Sequence, residues 1–384
     1  MRCLLLIFLL MMMQTAEPVA AQQAAPVLQH WKLAADLTHA GAAAAAQGVA
    51  GPITGVYDNC LLVAGGANFP EGMPWLGGKK VYQQRVYIYA IQKNAELLLE
   101  RTGLLPEPLA YAAVCSTADG IVVAGGESAK GLSKTCWLLS LSATGQLQTT
   151  ALPDLPVATT NAAACTDDRY VYVGGGETAA GTTAAMYRLD LQAPAKGWTS
   201  WIALPQPLSH FVLLHRKQQG KHVLFAAAGR YKKSNGLSAF SAQLYHMDVT
   251  AHSWTSLANL PVALSAGTAV PTKDGLLLFG GDTGETFYQV EALIQTIAST
   301  SDTAHAAQLN AQKIALQSQH PGFHSQVYHY HVDSNTWSEA GRLPYATPVT
   351  TTAVPWHQWV FIPSGEIKAG VRSPYIISVK LQYP

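Results

Sequence analysis

The stretch Leu61-Leu62-Val63-Ala64-Gly65-Gly66, an apolar strand that ends in two glycines, decides the fold because it recurs along the chain. Three further copies are clear and two are weaker, at residues 121–126, 171–175 and 276–281, and at 224–229 and 360–365. Most copies are about 50 to 60 residues apart, a spacing typical of radial arrays of small sheets. The longer step between the fifth and sixth copies predicts an insertion.

The second half of the repeat also recurs along the chain, as a pattern of residue types. An aromatic-rich strand is followed by a tryptophan and then by a Leu-Pro turn, as in Tyr187-Arg188-Leu189-Asp190 with Trp198 and Leu204-Pro205. Four short antiparallel strands make one blade, and a blade buries both faces only when neighbouring blades cover it. The sequence therefore predicts an all-β fold, a six-bladed kelch β-propeller.

The ends of the repeat array predict how the ring closes. The sixth copy has an inner strand and a following strand at residues 375–381, but no outermost strand after them. The segment at residues 28–33 supplies a candidate, and we expect it to pair with the last blade and close the ring. A plain N-terminal linker is the alternative.

The predicted insertion covers residues of about 283–323 in blade five. Residues 291–319 are rich in Ala, Gln, Leu and Ile and contain no Gly or Pro, which favours one or two helices. They fall between the second and third strands of the blade, so we expect a lid or wall over one face of the propeller. A solvated loop decoration is the alternative.

The N-terminus predicts export. Arg2, the apolar run at residues 4–13 and the small residues before Gln22 form a signal peptide over residues 1–21, leaving one propeller domain at 22–384. We therefore expect a periplasmic protein. Such a compartment permits disulfides, but the spacing of Cys60, Cys115, Cys136 and Cys165 leaves their pairing open.

Composition limits the partners. Only 12% of the residues are charged and the formal net charge is +1, without a basic run, so a nucleic-acid partner is disfavoured. No apolar stretch after the signal peptide is long enough to predict membrane insertion. The sequence does not determine the oligomeric state.

The clearest candidate for chemistry follows the inner strand of the sixth copy. The segment Gly365-Glu366-Ile367-Lys368-Ala369-Gly370-Val371-Arg372 places a carboxylate, an ammonium and a guanidinium in one short connection. A carboxylate can act as a general acid or base, and a guanidinium can grip an anion.

Other blades carry polar residues at the place that Glu366 occupies. These are Glu127, Glu177 and Asp282, with Arg230 as a candidate substrate-binding residue in blade four. The alternative is structural, because an acid after two glycines often ties down a turn.

The connection in blade one also has a composition suited to a ligand. Asn68, Phe69, Lys79 and Tyr82 combine an amide, aromatic rings and an ammonium, which match a sugar with apolar faces and hydroxylated edges. A solvated loop is the alternative.

Several chemistries are disfavoured by the absence of their motifs. The chain has no H-E-x-x-H, Walker A, dinucleotide-binding or nucleophile-elbow pattern, and we expect no cofactor. His329 and His331 share one face of a strand, but the sequence indicates no third metal ligand. Packing or surface placement is the favoured interpretation, and no metal is expected.

The chain resembles the kelch-type N-acetylneuraminate epimerases, or sialic acid mutarotases, and in particular their cyclically permuted branch. The resemblance rests on Gly-Gly-Ala-Asn-Phe-Pro at residues 65–70, on the blade-five insertion, and on Gly-Glu-x-Lys-x-Gly-x-Arg at residues 365–372. It implies that Glu366 and Arg372, six positions apart, are the catalytic pair, with Lys368 in support. It also implies interconversion of the α and β anomers of N-acetylneuraminate.

Departures from the family pattern occur at Ser364, Ile367 and Ala369, where asparagine, glycine and proline are common. These departures leave the assignment of the catalytic pair unchanged, but they weaken the inference of which sugar is bound. The rival hypothesis is a non-catalytic kelch propeller that binds a glycan or a protein, because a fold does not establish a function.

Overall fold

The repeats form six four-stranded antiparallel sheets, arranged as the blades of a β-propeller. The computed structural model describes residues 25–37 and 48–383. The innermost strands of neighbouring blades contact each other around a central channel. A cavity of about 260 Å³ lies in this channel and is lined mainly by those strands. The predicted six-bladed architecture is confirmed, whereas the predicted signal peptide lies outside the described residues.

The first three blades follow an N-terminal strand, β1 (Val27–Asp36), and each carries a short hairpin between its second and third strands. Blade one runs β2 (Ile53–Tyr57), β3 (Cys60–Ala64), the hairpin β4 (Ala67–Asn68) and β5 (Val81–Tyr82), β6 (Arg85–Ile91) and β7 (Leu97–Leu104). Blade two runs β8 (Ala113–Thr117), β9 (Gly120–Ala124), β10 (Glu127–Ser128), β11 (Gly131–Leu132), β12 (Cys136–Leu141) and β13 (Leu147–Leu152). Blade three runs β14 (Ala163–Thr166), β15 (Tyr170–Gly174), β16 (Glu177–Thr178), β17 (Gly181–Thr182), β18 (Met186–Asp190) and β19 (Thr199–Trp201).

The last three blades follow the same plan, except that helices replace the hairpin in blade five. Blade four runs β20 (Val212–Gln218), β21 (Lys221–Ala227), β22 (Arg230–Lys232), β23 (Ser238–Phe240), β24 (Leu244–Asp248) and β25 (Thr255–Ser256). Blade five runs β26 (Thr268–Pro271), β27 (Gly275–Gly281), α1 (Glu285–Ser299), α2 (Thr303–Ser318), β28 (His324–His331) and β29 (Thr336–Arg342). Blade six runs β30 (Val354–Trp356), β31 (Trp359–Pro363), β32 (Glu366–Lys368), β33 (Val371–Arg372) and β34 (Tyr375–Gln382).

Strand β3 shows why the second strand of a blade is apolar throughout. Its side chains alternate between the two faces of the sheet, so Leu62 packs against blade two while Leu61 and Val63 pack against blade six. All three are at most 1% exposed. Burying each aliphatic side chain stabilises the fold by about 1.5–3 kcal/mol. The cores between blades, rather than one central core, therefore hold the ring together.

The N-terminal strand closes the ring, as predicted. β1 pairs antiparallel with β34 and becomes the outermost strand of blade six, with Leu28 opposite Leu381 and Leu33 opposite Ile377. Trp31 meets the edge of Phe279 in blade five, with ring centroids 6.3 Å apart. Because the first and last strands lie in one sheet, the propeller can open there only if the backbone hydrogen bonds between β1 and β34 are broken.

The predicted helical insertion lies between β27 and β28. Helix α1 is anchored on the β22–β23 hairpin of blade four, where Glu291 accepts hydrogen bonds from Lys232 Nζ and from Ser238. The Tyr288 hydroxyl accepts a hydrogen bond from the backbone N–H of Phe240 at 2.8 Å. These contacts favour a wall fixed beside the channel over a solvated decoration. In the described part of the chain, neither helix has the length and apolar character needed to cross a membrane.

The two weaker glycine doublets keep the conformation of the others. Ala228 and Ser364 have φ of 61° and 56°, in the left-handed region that Gly65 occupies at 59°. At Gly65 an added Cβ would lie 2.3 Å from the carbonyl oxygen of Leu109, which explains the glycine there. Ser364 instead uses its hydroxyl, which donates towards the carbonyls of Val49 and Ser373 and ties blade six to blade one.

Candidate active site at one mouth of the channel

A closed ring of backbone hydrogen bonds surrounds one mouth of the channel. Each blade contributes one residue with positive φ, and its N–H donates to the carbonyl of the corresponding residue in the preceding blade. The six are Gly51, Tyr111, Asn161, His210, Ala266 and Thr350, with N···O distances of 2.8 to 3.1 Å. A left-handed conformation costs about 1–3 kcal/mol at a residue other than glycine. The six bonds hold the five members other than Gly51 in this strained conformation, so the side chains of those five have fixed positions at the mouth.

A second tier of side chains comes from the residues directly after the glycine doublets. Each of these residues forms an antiparallel bridge to the residue just before a member of the backbone ring. The tier consists of Ala67, Glu127, Glu177, Arg230, Asp282 and Glu366. The residues that the sequence analysis singled out by their place after the doublet therefore surround a single opening.

Glu366 and Arg372 lie opposite each other on the β32–β33 hairpin. Arg372 Nη1 is 3.4 Å from Glu366 Oε1, and the same oxygen accepts a hydrogen bond from the backbone N–H of Gly370 at 2.8 Å. Within residues 25–37 and 48–383, nothing forms a hydrogen bond with Glu366 Oε2. The Nε and Nη1 atoms of Arg372 are buried and likewise have no hydrogen-bond partner there.

Buried guanidinium donors without partners are costly, at about 1–3 kcal/mol or more each. They are therefore a sign of a binding site rather than of a structural ion pair. The Arg372 guanidinium also lies 4.6 Å from the centroid of Phe69, so blade one contributes an aromatic wall.

Three connections that the sequence analysis treated separately meet at this point. Gly370 lies so close to the blade-one loop that an added Cβ would be 3.0 Å from Met73 Sδ and 3.1 Å from the Trp75 ring. The end of the insertion also lies close to this hairpin, since an added Cβ at Gly322 would be 3.5 Å from the carbonyl oxygen of Ile367. The pKa of His320 is lowered by burial, and the charges of Glu366 and Lys368 also act on it.

Blade two contributes a carboxylate with two partners from blade one. Glu127 Oε1 accepts hydrogen bonds from Lys80 Nζ and from the Tyr82 hydroxyl, each at 2.8 Å. Burial and the bond to Glu127 raise the pKa of Tyr82 to about 12, although Lys80 opposes this. Tyr82 is therefore a neutral hydrogen-bond donor that positions Glu127.

A second carboxylate–guanidinium pair lies across the mouth. Arg230 Nη2 donates to Glu177 Oε1 at 2.5 Å, and the Ser209 hydroxyl donates to the same oxygen at 2.8 Å. Burial would raise the pKa of Glu177, but Arg230 and these hydrogen bonds lower it on balance. Burial and the adjacent Arg230 lower the pKa of His210, which is neutral as a result.

The other predicted substrate-binding residues have mixed placements. Asn68 is fully buried, donates to the carbonyl of Gly48 and accepts from Gln83, so its amide holds the loop instead of facing the mouth. Lys368 and Lys79 are exposed. It is Lys80, which the sequence analysis did not select, that contacts the site. Only the packing of the loop distinguishes the two lysines.

The acidic residues after the doublets are not uniform. Asp282 accepts a hydrogen bond from the N–H of Gly284 at 2.8 Å and ties down the turn before α1, as the structural interpretation predicts. Tyr111 and His210 belong to the backbone ring. The sequence analysis did not predict them as site residues, because they lie outside the repeated strand motif.

One group with metal-binding donors exists among the described residues, and it corrects the expectation that His329 and His331 lack a third partner. Asp274 supplies a carboxylate, and the three ligand atoms lie within 4.8 Å of one another. The imidazoles already bond to each other at 3.2 Å, and His329 bonds to Thr272 at 3.1 Å. This buried network satisfies most of its own polar atoms, as expected of packing within blade five.

The four cysteines after the predicted signal peptide, Cys60, Cys115, Cys136 and Cys165, are all free. Cys115 and Cys165 line the channel cavity, and burial raises the pKa of the Cys115 thiol to about 12. Both are therefore neutral, small core residues.

The fold and the mouth together define a class, a kelch-type propeller with a carboxylate–guanidinium site at one end of its channel. A family model described as N-acetylneuraminate epimerase matches residues 152–383. This match covers more than half of the chain, and the protein belongs to that family.

Individual relatives agree over shorter segments. An N-acetylneuraminate epimerase of Vibrio vulnificus is 38% identical over 117 residues, covering 28% of this chain and 29% of the relative. One from Salmonella typhimurium is 24% identical over 154 residues, covering 40% of this chain and 39% of the relative. These alignments span well under two thirds of the relatives' own lengths.

A structural comparison covers most of the chain. The solved structure of YjhT superposes with a TM-score of 0.59 and 14% identity, over 87% of this chain and 97% of that one. At this identity the likeness concerns the fold alone.

Proposed function

We propose that this protein is a sialic acid mutarotase, which interconverts the α and β anomers of N-acetylneuraminate by acid–base-assisted opening and closing of the sugar ring. Membership of the epimerase family supports the substrate class. The observation that carries the proposal is the arrangement of Glu366 beside Arg372, whose buried Nε and Nη1 have no hydrogen-bond partner among the described residues.

Arg372 is the group that binds the substrate carboxylate. A guanidinium presents its donors in a planar fork that matches a carboxylate, and partial burial strengthens the interaction. Phe69 lies against the same guanidinium and limits where it can point. The ammonium of Lys368, at the exposed end of β32, adds electrostatic attraction for an anionic sugar.

Glu366 is the general acid and base. In ring opening its carboxylate removes the proton of the anomeric hydroxyl, and the bond between the anomeric carbon and the ring oxygen breaks. The electron pair of that bond goes to the ring oxygen, which takes a proton from a second donor at the mouth or from water. Rotation about the bond next to the resulting ketone presents the other face, and the reverse steps close the ring as the second anomer. The hydrogen bond from Gly370 fixes Oε1, which leaves Oε2 to exchange the proton.

The remaining groups at the mouth have supporting roles. Lys80, Tyr82 and Glu127 form a hydrogen-bonded wall next to the catalytic hairpin, and they suit the hydroxyl groups of a sugar. Arg230 faces the same opening, but its pairing with Glu177 makes it a weaker substrate ligand than Arg372. The proposed chemistry needs neither a metal nor a nucleotide.

The test is NMR of the α-anomer immediately after its release from a glycoside. We expect purified protein to bring the two anomers to equilibrium much faster than the spontaneous reaction, and heat-denatured protein to have no effect. A rate equal to the spontaneous one, with sialic acid still bound in calorimetry, would favour the non-catalytic glycan-binding propeller instead.

We also propose that the chain is exported to the periplasm. The charged, apolar and small-residue segments of residues 1–21 support this. Expression of the full chain in a Gram-negative host, followed by mass spectrometry of the periplasmic fraction, should find a mature protein that begins at Gln22. Recovery of uncleaved protein from the cytoplasm alone would contradict it.

A further inference from the structure

Tyr111 has a backbone conformation that its residue type rarely adopts. It belongs to the backbone ring with φ of 58°, its N–H donates to Gly51, and its carbonyl accepts from Asn161, each at 2.9 Å. A bulky aromatic residue with positive φ is an outlier that persists only where surrounding bonds enforce it. Such strain is concentrated at functional sites.

Gly51 leaves the space that the Tyr111 ring occupies. A Cβ at Gly51 would lie 2.3 Å from Tyr111 Cδ1, so only glycine at this place in the backbone ring allows the phenol to lie where it does. Lys80 Nζ, from the blade-one loop, lies over the same phenol at 5.2 Å from its centroid. Tyr111 also lines the small cavity of about 70 Å³ that the backbone ring surrounds. The phenol is therefore fixed between blades one and two.

The phenol lies next to the polar wall of the proposed site, because Lys80, which lies over its ring, also donates a hydrogen bond to Glu127. Burial raises its pKa, Lys80 and Arg372 act in the opposite direction, and Glu366 and Glu127 raise the pKa further. The hydroxyl is consequently protonated at neutral pH. Within the described residues no group forms a hydrogen bond with this hydroxyl, so it is a donor with its proton uncommitted.

We propose that Tyr111 is the second proton-transfer group of the mutarotase reaction and acts on the ring oxygen while Glu366 acts on the anomeric hydroxyl. This inference rests on the proposed function. As the bond between the anomeric carbon and the ring oxygen breaks, its electron pair goes to the ring oxygen, which takes the phenol proton. Glu366 holds the anomeric proton, and both protons return on closure, so the enzyme ends in its starting state.

The charges around Tyr111 suit the intermediate better than the resting state. A sugar alkoxide is a much stronger base than a phenolate, so proton transfer from the phenol is downhill. The positive charges of Lys80 and Arg372 stabilise the phenolate that forms, while Glu366 has become neutral. One proton-transfer group typically contributes about 10²–10⁴-fold to a rate.

The test is Tyr111→Phe, which keeps the ring that packs on Gly51 and removes only the hydroxyl. We expect kcat for anomerisation to fall about 10²-fold or more, with KM changed less than about threefold. The matched control is Tyr89→Phe, which removes a buried phenol hydroxyl that donates to the carbonyl of Asp36, away from the mouth. We expect it to retain wild-type kcat.

A second measurement addresses the proton directly. Site-specific fluorotyrosine at position 111 makes the phenol more acidic with little change in shape, and it should move the alkaline limb of the kcat profile to lower pH. An active wild type with an unchanged kcat in Tyr111→Phe and an unmoved limb would overturn the role of Tyr111 alone. A wild type without activity would overturn the mutarotase function, and this role with it.

Discussion

Two carboxylate–guanidinium pairs lie at the same mouth and differ in how completely their polar atoms are hydrogen-bonded within the protein. We call Glu366 with Arg372 the blade-six pair and Glu177 with Arg230 the opposite pair. The opposite pair is hydrogen-bonded at 2.5 Å and supported by Ser209, whereas the blade-six pair is separated by 3.4 Å. Within the part of the chain that the structure describes, the buried Nε and Nη1 of the blade-six guanidinium have no hydrogen-bond partner.

The difference assigns distinct roles to similar residues. Arg230 and its neighbours lower the pKa of Glu177, and a carboxylate with a lowered pKa is a weak proton acceptor. A guanidinium that is already hydrogen-bonded to a carboxylate has fewer N–H donors available for a ligand. The opposite pair therefore holds blades three and four together at the mouth, and the blade-six pair is available to substrate.

The largest difference between the two pairs is expected when each carboxylate is neutralised in turn. We expect Glu366→Gln to reduce the enzymatic anomerisation rate by about 10²–10⁴-fold, because glutamine keeps the shape but takes no proton. Glu177→Gln should change the rate by less than about tenfold. NMR of the released α-anomer measures both, and full activity in Glu366→Gln would refute its role as acid and base.

The guanidinium groups give the next largest contrast. We expect Arg372→Lys to raise KM about tenfold or more, since a charged hydrogen bond contributes about 1.5–3 kcal/mol and lysine cannot form the planar fork. Arg230→Lys should instead lower the free energy of unfolding, with a smaller effect on KM. Steady-state kinetics and thermal denaturation of the two variants measure this, and a larger KM effect in Arg230→Lys would reverse the assignment.

The pH dependence of stability gives the smallest and most specific contrast. His210, beside the opposite pair, has a lowered pKa in the folded protein, so the unfolded chain binds its proton first as pH falls below about 6.5. Stability is thereby lost on acidification, by at most about 1.4 kcal/mol per pH unit for this one group. Glu177, whose pKa is also lowered, adds a further loss below about pH 4.5.

The measurement is chemical denaturation between pH 7 and pH 4.5 for the wild type and for His210→Asn. Asparagine tolerates positive φ, and Asn161 occupies the corresponding place in blade three. His215, His246 and His329 also have lowered pKa values and affect both proteins equally. The variant should show a shallower loss of stability, and identical slopes would show that His210 is not held neutral by its surroundings.

The repeat made most of the fold predictable. The strand at residues 61–66 and its copies indicated six blades, because an apolar strand buried on both faces needs a neighbour on each side. Closure by residues 28–33 followed from a missing outer strand, and the insertion followed from a long step between copies. Each of these is a local pattern or a count along the chain.

The candidate site was predictable only where its residues follow the glycine doublets. Glu366, Arg230 and their counterparts occupy one place in each repeat, and radial closure brings repeated places together. Asn68 was placed less well, because its burial depends on Gly48 and Gln83. Lys80 and Tyr111 could not be selected, since their proximity arises from the packing of blade one against blade two.

The repeat pattern was enough to predict the number of blades and the strand that closes them, and the family resemblance implied the pairing of Glu366 with Arg372. The tertiary structure revealed a second glutamate–arginine pair, Glu177 with Arg230, at the same mouth. Of the two guanidinium groups, only that of Arg372 has buried nitrogen atoms without a hydrogen-bond partner among the described residues. The members of the backbone ring share a positive φ but not a residue type. The amino-acid sequence therefore contains no pattern that predicts these positions. Their conformation is enforced by hydrogen bonds from one blade to the next, which exist only when the ring is closed.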